Sequence, residues 1–288
     1  MLKIKKILLP VDFPIASLSV IHQAAKLARH FHSEIVMLHV VTARSQAAGV
    51  PGDDSQLARW HLLTEIIREA EKQQDQSLQA ELDGLTIRSM LVKGDPAWAI
   101  VQIAEEEKAD LIMMPSHGST FEQFLLGSVT ARVLSKTERP VWTGAHVDGS
   151  PVQRFEIRNV LCAVDLGPRS HAAVSWAAPM AAEFGARLTL AHVTATVEIW
   201  GPGGSYVKQD WKEEFVDDAS QRIAKLQQDT GIKADIFIGS GDVPKVLSQV
   251  AKQTNADLLV TGCNPYGSHL RTDGYAIICA VGIPVLNV

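Results

Sequence analysis

The chain says the same thing twice. The segment KKILLPVDFPIASLSVIHQAAKLARHFHSEIVMLHVV, from Lys5, returns as RNVLCAVDLGPRSHAAVSWAAPMAAEFGARLTLAHVT, from Arg158. At one constant offset Asp12 falls on Asp165 and His39 on His192. Further on, LVKGDPAWAIVQIAEEEKADLIMMP returns as IGSGDVPKVLSQVAKQTNADLLVTG, with Asp110 on Asp257, and the endings RPVWTG and IPVLNV match as well. The repeat predicts two homologous domains, over residues 1–147 and 155–288, joined by the Gly- and Pro-bearing stretch GAHVDGSPVQRF. A length of 288 residues agrees, since about 150 residues make an ordinary domain with a core of its own.

Within each copy strand-like and helix-like segments alternate, which is the pattern of a parallel α/β sheet. In the first copy strands are expected near 4–11, 34–41, 86–92, 110–115 and 140–143, and helices near 16–31, 55–81, 96–108 and 128–137. The second copy repeats the strands near 158–164, 187–193, 234–239, 257–262 and 283–287. The runs IKKILLPV and EIVMLHVV are almost continuously apolar, as strands covered by helices on both faces must be. Between 55 and 81, Leu57, Trp60, Leu63, Ile67 and Ala70 recur at helical spacing, which assigns Trp60 to the core. The fold class is therefore α/β, with two tandem, doubly wound, parallel five-stranded sheets. For a strand order 3-2-1-4-5, ligands belong beyond the carboxyl ends of strands 1 and 4, where successive crossovers leave to opposite faces. Strand 1 ends at Pro10-Val11-Asp12 and strand 4 at Pro115.

Composition removes several classes of function. The formal net charge is −5, with Lys and Arg scattered among Asp and Glu, so no basic stripe marks a nucleic-acid partner. No apolar run reaches the roughly 18 residues that a membrane span needs. The start MLKIKKILLPVDF passes straight into a strand without an export signal. Cys162, Cys263 and Cys279 are odd in number and sit in apolar contexts, which suits the reduced thiols of a cytoplasmic protein. Neither a G-x-S-x-G elbow nor an H-E-x-x-H helix occurs, and the ten histidines are dispersed. A phosphorelay receiver would need an acidic pair after strand 1 and a Lys after strand 5. A nucleotide pyrophosphatase would need a Ser-Gly-Gly loop where this chain has VDFPIAS or VDLGPRS. No catalytic role is expected.

One stretch, PSHGSTFEQFLLGSVTARVL at 115–134, combines Gly and short hydroxyl residues with the apolar spacing Val129, Val133, Leu134. It is a loop delivering the chain to a helix start, where free N–H groups and the helix dipole favour an anion. It contains no Lys, so it is not a Walker A loop. Two Gly- and Pro-rich segments after the second strands, TARSQAAGVPGDDSQ and TATVEIWGPGGSYVKQ, are candidate lids over the same end of the sheets, or plain surface loops.

ILLPVDF, LHVV, KGDPAWAIVQIAEEEKADLIMM and SHG…LLGSVTARVL…RPV together resemble the universal stress protein family, whose members carry a G-x-x-G-x9-G-[ST] nucleotide loop at this place. The resemblance covers almost the whole chain, twice. It implies small Rossmann- or flavodoxin-like α/β domains that dimerise, some of them binding ATP. Carried onto this chain, it places Asp12 and the backbone of Val40 beside an adenosine. Pro115, His117, Gly118, Gly127, Ser128, Val129 and Thr130 fall around the phosphates. Asp12 would repel a phosphate, so the sugar or base side suits it; the other reading makes it a turn or N-cap residue. His117 is a phosphate donor or an ordinary surface residue.

The chain also departs from the motif. Pro115 stands at its first Gly, and eight residues separate Gly118 from Gly127 where the family loop has nine. The second copy, TGCNPYGSHLRTDGYAIICAVGIPV, keeps Gly262 but lacks the Gly-Ser-Val-Thr tetrad; Ser268, His269 and Arg271 remain as anion donors or as structural loop residues. These features lead to an expectation of one adenine nucleotide such as ATP, with Mg²⁺ as its accompanying ion, bound without turnover in the first domain. The second domain would serve as scaffold or regulator. The short terminal strands, as bare sheet edges, suggest pairing of the halves as a pseudo-dimer and of chains as a homodimer. The competing expectation is a nucleotide-free interaction module acting through dimerisation.

Overall fold

A computed structural model describes residues 2–11, 18–42, 64, 66–68, 77–116, 126–144, 155–194, 199–201, 204–206, 209–262 and 270–288. They form two compact units, Lys3–Phe155 and Glu156–Val288. The first contains β1 (Lys6–Pro10), α1 (Ser19–Phe31), β2 (Glu34–Val41), α2 (Ser77–Leu82), β3 (Ile87–Lys93), α3 (Pro96–Glu106), β4 (Leu111–Pro115), α4 (Ser128–Leu134) and β5 (Val141–Gly144). The second contains β6 (Asn159–Ala163), α5 (Ser170–Phe184), β7 (Arg187–Thr194), the short β8 (Ile199–Gly201) and β9 (Gly204–Tyr206), and α6 (Gln209–Thr230). It continues with β10 (Asp235–Ser240), α7 (Val243–Gln253), β11 (Leu258–Thr261), α8 (Leu270–Val281) and β12 (Val285–Asn287).

Strand order within the units is β3-β2-β1-β4-β5 and β10-β7-β6-β11-β12, all parallel. Both are the 3-2-1-4-5 order expected from the sequence. Ile7, Leu8 and Leu9 of the central strand β1 are wholly buried, as are Ile35, Val36, Met37 and Leu38 of β2. Apolar side chains on both faces of a strand require cover on both faces, which the crossover helices supply.

Matched residues of the two copies do matched work. Asp110 accepts the backbone N–H groups of Lys5 at 2.7 Å and Lys6 at 3.0 Å. Asp257 accepts those of Arg158 at 2.8 Å and Asn159 at 2.9 Å. Each carboxylate thus closes the amino end of a central strand against the strand that follows the third crossover. The Gly-Asp pairs behave alike. Gly94 (φ 149°) and Gly241 (φ 130°) take backbone angles that side chains resist, and Asp95 and Asp242 then cap α3 and α7 by accepting from Trp98 N and Lys245 N. Some pairs diverge: α5 ends on Gly185 in the left-handed region, whereas α1 ends there on His32.

At the amino end of the first sheet, Glu107 binds Arg88 at 2.6 Å and Lys6 at 2.8 Å, and Glu34 joins both cations. Arg88, then Lys6, hold the Glu107 carboxyl below its ordinary value. A depressed folded-state pKa contributes stability above the unfolded pKa and loses it as pH falls through the folded value. Glu107→Gln is therefore expected to destabilise the first unit by about 1 kcal/mol at neutral pH, since the network is partly solvated. Denaturant midpoints of wild type and variant should converge on acidification; a difference independent of pH would show that charge is not the cause.

Cys162 lies wholly buried in β6, and burial pushes its thiol up to about 12. Iodoacetamide at neutral pH is expected to leave Cys162 unmodified in the native protein and to label it after denaturation. Labelling at the same rate in both states, read by peptide mapping, would mean that β6 opens freely.

Candidate functional site

The crevice at the switch point of the first sheet is shaped by two prolines. Pairing of β1 with β4 covers only Ile7↔Leu111 and Leu8↔Ile112. In a parallel ladder alternate residues turn both backbone groups to the same neighbour. Val11 N donates to Leu38 O on the β2 side, so Pro10 faces β4. Ile112 N donates to Pro140 O on the β5 side, so Pro115, three residues on, faces β1. Neither proline has an N–H, and the ladder stops. At the corresponding places the second unit has Ala163 and Gly262, and its β6–β11 pairing runs on to Ala163↔Thr261. The first central pair therefore parts earlier.

Around this parting stand the described members of the expected site. Val40, two residues beyond Leu38 on β2, turns its N–H and C=O to the β1 side beyond the last β1–β2 pair, Pro10↔Leu38. From β4 the chain leaves through Pro115 and Ser116 and returns at Gly127, whose N–H donates to Ser116 O at 3.0 Å. The Thr130 hydroxyl donates to Pro115 O at 3.0 Å, so its proton ties α4 to the end of β4. Ser128 is exposed, Val129 half-buried and Thr130 buried. As the first helical residues, their N–H groups have no acceptor within the helix. Asp12, His117 and Gly118 lie outside the described residues, as do Ser268 and His269 and most of both candidate lids.

Asp165, the partner of Asp12 in the repeat, shows what such a residue does after a central strand. Its Oδ1 accepts from Gly167 N at 2.8 Å and from Ser170 Oγ at 2.9 Å, which makes it the acceptor of the turn that opens α5. Arg222 of α6 fixes the same turn by donating to Leu166 O at 2.8 Å, and Leu166 is held at φ 60°. Gly262 has a related task. A Cβ there would lie 3.1 Å from both the Cβ and the O of Arg169, so its missing side chain gives room to the protein's own turn.

Two elements of the region were not foreseen in the sequence. His39 and His192 were visible only as a matched pair. Their Nδ1 atoms meet Val11 O at 2.9 Å and Val164 O at 2.7 Å. A carbonyl only accepts, so each Nδ1 carries the proton and fixes the chain just past the central strand. The second candidate lid contains the antiparallel pair β8–β9, with Gly201 opposite Gly204. The Pro-Gly between two short runs in IWGPGGSY was its signal.

Among the described residues no group of His, Cys, Asp or Glu could hold a metal ion, and no helix is long and apolar enough to cross a membrane. The universal stress protein family model matches residues 3–143 and again 156–271. Universal stress protein MJ0531 of Methanocaldococcus jannaschii is 36% identical over 140 residues, covering 48% of this chain and 79% of that protein. Universal stress protein MJ0577 of the same organism is 32% identical over 149 residues, covering 48% and 92%. Among solved structures, a universal stress protein from Archaeoglobus fulgidus DSM 4304 aligns over 99% of this chain and 96% of its own, with a TM-score of 0.64 at 22% identity. A functionally unknown protein, PA1789 from Pseudomonas aeruginosa PAO1, aligns over 99% and 92%, with a TM-score of 0.69 at 14% identity, and both likenesses bear on the fold alone. The chain belongs to the universal stress protein family and carries the family's domain twice.

Proposed function

We propose that the first domain binds one adenine nucleotide, ATP in the first instance, without turning it over, and that the second domain takes a scaffolding or regulatory part. The observation that carries this reading is the short β1–β4 ladder. Pro10 and Pro115 part the strands at the switch point, and the Gly127 and Thr130 hydrogen bonds bring the start of α4 back to the same place. Three helix-start N–H groups and the Ser128 hydroxyl are then the donors for a phosphate, and the backbone of Val40 and Asp12 are the groups for the nucleoside. On this reading Pro115 is an adaptation of the motif's first position, because a proline there widens the crevice while its carbonyl still anchors α4.

Absence of turnover rests on the loop sequence. Between Ser116 and Ser128 the chain has neither Lys nor Arg, the side chains that stabilise a transferring phosphoryl group. Mg²⁺, where it accompanies ATP, would be held chiefly by the phosphates.

The test is to purify the full chain without added nucleotide, denature it, and identify any released purine by mass. Where none is carried through purification, calorimetry with ATP gives the answer. A chain that neither carries nor binds adenine nucleotide is an interaction module, and the proposal is then wrong.

A further inference from the structure

In the order β10-β7-β6-β11-β12 the strand β10 is an edge, paired with β7 alone. Gly241 N donates to Thr194 O, and the β10–β7 register runs unbroken from Asp235↔Thr189 to Ser240↔Thr194. By the alternation of a parallel ladder, Asp235, Phe237 and Gly239 also turn to β7, while Ile236 and Ile238 turn their N–H and C=O groups outward. Earlier in that outward series, Ala234 N is taken by Gln227 Oε1 at 3.0 Å, so the chain itself finishes the edge there. Ile236, by contrast, is 45% exposed. Neither proline, lysine nor bulge blunts the strand, and these are the devices that ordinarily keep an open edge from pairing. The first copy differs at the outward positions, where β3 has Ser89 and Lys93 in place of Ile236 and Ser240.

Charge selects what completes this edge. Lys233 and Asp235 are exposed at its amino end, Asp242 and Lys245 at its carboxyl end. The start of α7 lies over Gly239, with Val246 Cγ1 2.8 Å from where a Cβ on that glycine would be. A second β10 laid antiparallel about a two-fold axis through Phe237 sets Asp235 opposite Gly239, beside Lys245. It also sets Lys233 opposite Gly241, beside Asp242. Opposite signs then meet at both ends of the pair, whereas an in-register parallel copy would set like charge against like. In the same antiparallel register Ile236 falls opposite Ile238. Each donates to and accepts from the other, and their side chains form a β-branched cross-strand pair that covers the exposed Ile236.

We infer that a second copy of this chain pairs with the first through β10, antiparallel and two-fold symmetric, with Ile236 and Ile238 as the hydrogen-bonded residues. Such an interface is small, so a reversible dimer is expected, half-formed at a chain concentration of about 1–500 µM. Sedimentation velocity of the full chain across that range measures the association, and amide exchange followed by NMR places it. The Ile236 and Ile238 amides should exchange about tenfold more slowly at the top of the range than at the bottom. Those of Ser89 and Leu91, which face outward from β3, should not change with concentration. Ile238→Pro removes an outward N–H and leaves the β7 ladder whole, and it should raise the midpoint about tenfold or more. Asp235→Lys alters only an exposed side chain, so it carries the test even where the proline variant loses its cooperative transition. It should weaken pairing about tenfold, counting twice across the axis, and adding Lys245→Glu should restore it. A chain monomeric throughout, a dimer whose Ile236 and Ile238 amides exchange as in the monomer, or a charge reversal without effect or without rescue would overturn the inference.

Discussion

Titration of the full chain with ATP is expected to find one site, and Gly127→Arg is expected to abolish it. Gly127 sits at φ −55°, ψ 136°, a backbone conformation open to any residue, so the substitution imposes no strain. Its N–H can still donate to Ser116 O, and α4 should start where it does now. What changes is the space in front of the helix start, which a long side chain fills. Affinity should fall by about a hundredfold or more, since both close approach and several donors are lost together. A guanidinium could itself attract a phosphate, so Gly127→Leu serves as the uncharged counterpart and should behave alike. Thermal transitions of all three proteins should coincide. The second copy, without the Gly-Ser-Val-Thr tetrad and with its β6–α5 turn seated against Gly262, is expected to contribute no second site. Two sites per chain, or one that survives both substitutions, would show that the ligand has been placed wrongly.

The fold was legible because its evidence is periodic and doubled. Continuous apolar runs named the buried strands, alternation with helices named a parallel sheet, and the repeat confirmed each assignment in an independent copy. The site was legible only as a place. Motif spacing located Gly127, Ser128, Val129 and Thr130 at a helix start, but the direction of the Thr130 proton depends on where the Pro115 carbonyl falls, fifteen residues back along the chain. Pro115 itself stood out in the sequence only as a departure from the motif's first Gly. Its effect on the ladder emerges only when the ends of the adjacent strands β1 and β4 are seen together, Pro10 facing β4 and Pro115 facing β1, a juxtaposition that sequence separation conceals. Asp110 and Asp257 were likewise visible as a matched pair without a task, because their partners are backbone amides about a hundred residues away. Residues that serve the backbone leave identities in a sequence but no chemical pattern, whereas residues that serve a core leave a period.

Trp142→Ala should cost the first unit about 3–5 kcal/mol, through cavity formation and a broken buried hydrogen bond together. The Trp142 side chain is wholly buried in β5, and its ring meets that of Phe155 edge to face with centroids 5.8 Å apart. Its Nε1–H donates to Gln23 Oε1 at 2.7 Å, and Gln23 lies on the buried face of α1. Gln23 is a polar residue among apolar neighbours, explained by this one bond. The surroundings have little slack: a Cβ on Gly144, two residues along β5, would lie 3.1 Å from Val20 Cβ of α1. A helix already in contact with the strand cannot settle into the space an indole leaves, which puts the loss toward the upper end of the range. Trp142→Phe separates the two causes. It keeps most of the buried ring but strands the Gln23 oxygen, at about 1–3 kcal/mol. Gln23→Leu added to Trp142→Phe should return part of that loss, and circular dichroism in denaturant measures each step. Were Trp142→Phe alone as stable as wild type, the bond to Gln23 would contribute nothing and packing alone would hold β5 to α1.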